Sequence, residues 1–130
     1  MRKINCFLSL FLLIFISCEK LQLDCDQDNP EIKLIYPQDN PKLSSGLPLC
    51  IKIVVTDNSL IKRLTWEIVN QENSEQVLTK QEDLSLCRHY VVDETINLKS
   101  DLTGNFLFKI SAVDGSGNTT KLSFPFSRQN

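Results

Sequence analysis

From Glu31 onward the apolar residues recur in runs with a period close to two, and no stretch carries a convincing helical period. A strand points successive side chains to opposite faces, so each such run buries one face and wets the other. Ile32, Leu34 and Tyr36 alternate with polar neighbours and stop at Pro37. Leu49, Ile51, Ile53 and Val55 alternate around Cys50 and Lys52, and Leu64, Trp66 and Ile68 around Thr65 and Glu67. A weaker run covers 77–84, and Tyr90, Val92, Ile96 and Leu98 follow with an imperfect beat. Phe106, Phe108, Ile110 and Ala112 then alternate with Leu107, Lys109, Ser111 and Val113, and Leu122, Phe124 and Phe126 close the chain. Turn-forming segments separate the runs at 38–46, 57–60, 70–75, 99–104 and 114–118. The pattern predicts an all-β domain of about seven strands. Pro125 cannot donate to a ladder, so the last strand should be an edge or carry a bulge.

The first 17 residues follow other rules. Arg2 and Lys3 precede a 13-residue apolar run, 4–16, and the small residue Ser17 closes it. These are the parts of an export signal, and the run is shorter than the roughly 20 residues that a membrane-spanning helix needs. Phe15-Ile16-Ser17-Cys18 resembles a bacterial lipobox, with Phe15 standing where Leu is usual. The resemblance implies cleavage before Cys18, acylation of its sulfur and attachment of the chain to a membrane. Two or three acyl chains hold a protein firmly, one only marginally. The expected place is the bacterial outer membrane, with the domain lipid-anchored and either periplasmic or surface-exposed.

Without Arg2 and Lys3 the chain holds 12 Lys and Arg against 16 Asp and Glu, a net charge of −4. No basic stripe interrupts this balance. Nucleic acid is therefore not an expected partner, because phosphate binding needs clustered Lys and Arg. Residues 18–30 form a lipidated Cys and an acidic tether, EKLQLDCDQDNP after Cys18, which reads as a solvated linker. The domain proper is expected over 31–127.

Seven short strands in roughly 100 residues, with a Trp on the third, describe an immunoglobulin-like antiparallel β-sandwich. Residues 102–117, LTGNFLFKISAVDGSG, resemble the strand F to strand G corner of bacterial immunoglobulin-like and fibronectin-type-III-like domains. Residues 31–69 are similar to the first three strands of such domains in small lipoproteins. The resemblance implies architecture rather than activity. Two antibody-type details are missing: strand F has no Cys, and Phe106 stands at the aromatic position of the tyrosine corner.

If the strands alternate in direction, the start of the first strand, the segments 57–60 and 114–118 and the link after the fourth strand share one pole. With Cys18 acylated, Cys25, Cys50 and Cys87 remain for at most one disulfide. Cys25 and Cys87 share that pole and form the favoured pair; Cys50–Cys87 is the alternative. Zinc is not expected, because no C-x-x-C pair exists and His89 is the only His. The same pole collects Asp26, Asp28, Asp57, Asn58, Asp114 and Asn118. Calcium takes six to eight oxygen ligands, which Asp and Asn in loops supply. The other reading is turn chemistry, since these side chains also bond the nearby backbone.

No catalytic signature is present: no G-x-S-x-G elbow, no H-E-x-x-H and no P-loop. Asp93 and Glu94 are adjacent on a strand, so they face opposite ways and do not form a carboxylate pair. The chain is expected not to be an enzyme and to need no cofactor, calcium apart. Its expected role is to present a binding or structural module at the cell envelope; the alternatives are a calcium-stabilised adhesion-type domain and an accessory subunit of an envelope uptake or secretion complex. The tether enters at the first pole, so the opposite pole faces outward. Its loops 38–46, 70–75 and 99–104 are polar and lack aromatic residues, which favours a protein partner over a stacked sugar.

Overall fold

The computed structural model describes residues 26–130; the expected leader, the lipidation position Cys18 and Cys25 lie outside them. Six strands follow in order: β1 (Glu31–Tyr36), β2 (Lys42–Ser44), β3 (Leu49–Asn70), β4 (Gln76–Ile96), β5 (Gly104–Asp114) and β6 (Thr119–Gln129). β3 and β4 are each two of the expected strands run together. The first arm of β3, around 49–56, pairs with β1 and with 89–96 of β4. Its second arm pairs with 76–83 of β4 on one side and with β5 on the other. β5 in turn pairs with β6. The two arms thus belong to two layers, and the register of β3 breaks between Thr56 and Ile61, where the chain passes from one layer to the other.

Both layers turn their alternate residues inward onto one core. Leu49, Ile51, Ile53 and Val55 come from the first arm of β3, and Leu64, Trp66 and Ile68 from the second. Phe106, Phe108, Ile110 and Ala112 come from β5, and Phe124 and Phe126 from β6. The Phe106–Phe126 and Phe108–Phe124 pairs stack across β5 and β6 with centroids 5.3 and 4.9 Å apart. Trp66 is fully buried and takes the Lys80 ammonium over its ring at 4.9 Å. This is an immunoglobulin-like β-sandwich, as the alternation predicts.

Three details differ from the sequence expectation. β2 lies inside the segment 38–46 and pairs with β6 in parallel, so the sheet is mixed rather than wholly antiparallel. After Tyr36 the chain keeps its direction while crossing to the second layer, and there it meets β6 running the same way. Second, 57–60 and the link between the arms of β4 are continuous strand rather than open turns. Third, β6 extends to Gln129, past the expected boundary at 127, and carries Arg128 inward at 1% exposure. Pro125 lies in the part of β6 that β2 does not reach, the edge position expected for it.

Candidate metal centre

The β3 corner, the β5–β6 turn and the segment before β1 meet at one pole. Glu31 pairs with Thr56, which brings the start of β1 to the corner. The backbone N–H of Gly115 donates to the carbonyl of Leu60 at 2.7 Å, fastening the β5–β6 turn to the same corner. In that turn Gly117 adopts φ of 94°, where a side chain would be strained. The next residue, Asn118, is thereby placed beneath Asp114.

Each element contributes a carboxylate. Asp26 comes from the segment before β1, Asp57 from the corner and Asp114 from the end of β5. Each offers an oxygen within 4.8 Å of those of the other two. Asp114 is completely buried: its Oδ1 accepts the Asn118 backbone N–H at 2.8 Å and its Oδ2 the Asn118 side-chain amide at 2.7 Å. Asp57 Oδ1 accepts the Ser59 N–H at 2.6 Å. Asp26 Oδ1 accepts from the Asp28 N–H at 3.1 Å and the Asn58 amide at 3.2 Å. The second oxygens of Asp26 and Asp57 are buried and accept from nothing.

Among the described residues, no Lys, Arg or His forms an ion pair with them. The ion pairs among the described residues, Lys52–Asp93, Arg63–Asp83, Lys80 with Glu82 and Glu94, and Lys109–Glu67, all lie elsewhere. Burial pushes the Asp57 carboxyl above the usual range, the Ser59 bond opposes this, and the charges of Asp114, Asp26 and Asp28 push it further up. A shallow cavity of about 220 Å³, lined by Asp28, Asn29, Glu31, Thr56, Asp57 and Asn58, opens beside the cluster.

Calcium–oxygen distances of about 2.3–2.6 Å put ligands on opposite sides of one ion at most about 5 Å apart. The carboxylate spacing lies within that span. Hard oxygens without nitrogen or sulfur donors suit calcium rather than zinc. The residues present therefore fit a calcium ion, with Asp26, Asp57 and Asp114 as its charged ligands.

The other three expected residues form the frame around this triad. The Asn58 amide donates to Asp26 Oδ1 and, at 2.7 Å, to Asp28 Oδ2. The Asn118 amide donates to the carbonyls of Asp26 and Asp28 at 2.9 and 3.0 Å. Turn chemistry is present as well, in the bonds that Asp26, Asp57 and Asp114 accept from N–H groups two to four residues on. What the sequence reading lacked was the pair of unpartnered oxygens and the use of both Asn amides as ties to 26–28.

The remaining sequence candidates lie outside this centre. His89 stands opposite Thr56 with its side chain exposed. Asp93 and Glu94 face apart as expected, one bonded to Lys52 at 3.0 Å and the other to Lys80 at 2.6 Å. Cys50 stands opposite Thr95, while Cys87 stands opposite Ile61, eleven residues farther along β3. A disulfide tolerates Cα atoms only about 7 Å apart, so the Cys50–Cys87 alternative is excluded. Cys87 does lie at the tether's pole, but its favoured partner, Cys25, is outside the described residues.

No family model matches the chain, and no curated protein does. Among solved structures it is similar to the fibronectin(III)-like modules of Clostridium thermocellum CbhA, at 14% identity over 75% of this chain and 94% of that one, with a TM-score of 0.49. It is similar also to CopC from Methylosinus trichosporium OB3b, at 10% identity over 76% and 94% of the two chains, with a TM-score of 0.48. At this level of likeness neither bears on what the chain binds.

Proposed function

We propose that this chain is a non-catalytic, lipid-anchored module that stands at the bacterial envelope and meets a protein partner with the pole opposite its tether. The observation that carries the reading is where the tether enters. Residues 26–28 are bonded to Asn58 and Asn118, so the chain enters the sandwich at the first pole, and Cys18 stands eight residues upstream of that entry in the sequence. At no more than about 3.5 Å per residue, the link from Cys18 to Asp26 spans at most about 28 Å. The far pole is then the one presented outward. Tyr36 and Leu47, at 53% and 54% exposure, lie toward that pole, and such side chains serve as anchors in protein interfaces.

The test is to label growing cells with an alkyne fatty acid and then digest intact cells with protease. Label on the wild-type chain that is absent from Cys18→Ser supports the anchor; equal labelling of both contradicts it. Loss of the domain from intact cells places it on the surface, and protection until lysis places it in the periplasm.

The unpartnered oxygens favour a second element of this reading, that the tether's pole takes a calcium ion and is stabilised by it. A melting temperature that rises with calcium and falls with EDTA supports this, and indifference to both contradicts it.

A further inference from the structure

We infer that calcium at this pole fastens the tether to the sandwich, so that cation occupancy governs how freely the domain moves on its anchor. The inference rests on the calcium reading above and goes beyond it.

The centre is assembled from parts of unequal rigidity. Asp57 directly follows Thr56, which pairs with Glu31 on one side and His89 on the other, and Asp114 ends β5 paired with Ile61. Asp26 belongs to a segment outside any strand, held by side-chain ties from Asn58 and Asn118 and by a bond within the segment itself. Each is a bond at or near the surface, where water competes.

Opposing those ties is the charge of the centre. The second oxygens of Asp26 and Asp57 are buried without a donor, and Asp114 behind them is fully buried. Without a cation, the segment lies against its own repulsion. It can relieve that repulsion by leaving, whereas Asp57 is held by the paired Thr56 beside it and Asp114 by its own pairing with Ile61. With a cation, the same three carboxylates attract a common charge and the segment closes down. Pro30 follows immediately and is buried, so it marks the point beyond which the chain is fixed in either state. The hinge is therefore residues 26–29, and the effect on the domain is a change in reach and orientation rather than in fold.

The experiment is hydrogen exchange by mass spectrometry on the whole chain purified in detergent, in calcium and in EDTA, with a calorimetric titration of CaCl2 into the same sample. The expected result is one calcium per chain and at least about tenfold slower exchange at residues 27–29 in calcium. Amides within β5 and the first arm of β3 should change less than these. The variant Asp57→Asn keeps the acceptor for Ser59 and removes one charged ligand; it should lose the binding heat and the added protection together. Calcium binding with unchanged exchange at 27–29 overturns the clamp and leaves the calcium reading standing. No binding heat and no change in exchange overturns both.

Discussion

Replacing Asp57 with Asn should make the cation-free domain more stable and remove its response to calcium. The substitution keeps the oxygen that accepts the Ser59 N–H at 2.6 Å and replaces the buried, unpartnered oxygen with an amide that can donate to a neighbouring carboxylate. It also removes one of three like charges whose oxygens lie within 4.8 Å of one another. Each pair at that distance repels by about 0.9 kcal/mol at the dielectric constant of water and about 3.5 kcal/mol at an effective constant of 20. Taking the lower figure for the two pairs that Asp57 makes gives about 2 kcal/mol. For a domain of this size that is a rise in melting temperature of roughly 8 °C. In calcium at a hundred times its dissociation constant the wild type gains about 2.7 kcal/mol, and the variant little. The two proteins should therefore exchange rank, the variant melting higher in EDTA and the wild type higher in calcium. The pH dependence carries the same sign. Asp57 titrates above its unfolded range, so the folded state holds its proton more tightly. In EDTA its share of wild-type stability should rise as pH falls through that raised pKa, and the variant should lack this share. A variant less stable than wild type in EDTA, with both shifting equally in calcium, would refute the reasoning.

Three further outcomes follow from other parts of the molecule. The Tyr90 hydroxyl, more than the Lys80 ammonium, holds the Glu82 carboxyl below its usual range, so that stabilisation is present above the unfolded pKa and is lost as pH falls through the depressed folded value. Tyr90→Phe should cost about 1 kcal/mol at neutral pH in urea melts, and the gap to wild type should close on acidification; a gap independent of pH contradicts this. Arg128 is buried, donates through Nη1 to the carbonyls of Lys99 and Leu102 at 2.7 and 3.0 Å, and leaves Nε and Nη2 without acceptors. Arg128→Met should unfold within about 1 kcal/mol of wild type and Arg128→Ala about 2 kcal/mol below it, because packing outweighs a charge with no partner; equal losses would give the charge the main role. In the exported protein Cys50, which is exposed, should react with maleimide, while a non-reducing peptide map should join Cys25 to Cys87; two reactive thiols in addition to Cys50 would refute that pairing.

Most of the sandwich was legible because alternation reports burial directly. Ile51, Trp66, Phe108 and Phe124 are inward for the reason their spacing predicts. The corners were harder to read: β3 runs on through 57–60 although its cross-strand pairing is interrupted between Thr56 and Ile61, so Asp57 and Asn58 resemble a turn in sequence yet sit within a continuous strand. β2 was not legible at all, because Leu43 is the one apolar residue in its three positions and gives no period. Arg128 could have been found, since it continues the beat of Phe124 and Phe126, but its polarity hid it. At the candidate metal centre, strand parity alone brought six residues from three segments to one pole. Which of them converge and which act as struts depends on distances of a few ångströms, and no spacing rule encodes those. Asn118 illustrates the limit, as a turn residue by sequence whose amide also reaches across to the carbonyls of Asp26 and Asp28.

The most direct test of the calcium reading is a crystal structure of the domain grown in calcium, with anomalous scattering used to locate the ion. The account predicts one anomalous peak bridging the carboxylates of Asp26, Asp57 and Asp114, at about 2.4 Å from each. A map with no peak there, and with the three side chains still gathered around the two unpartnered oxygens, would contradict it.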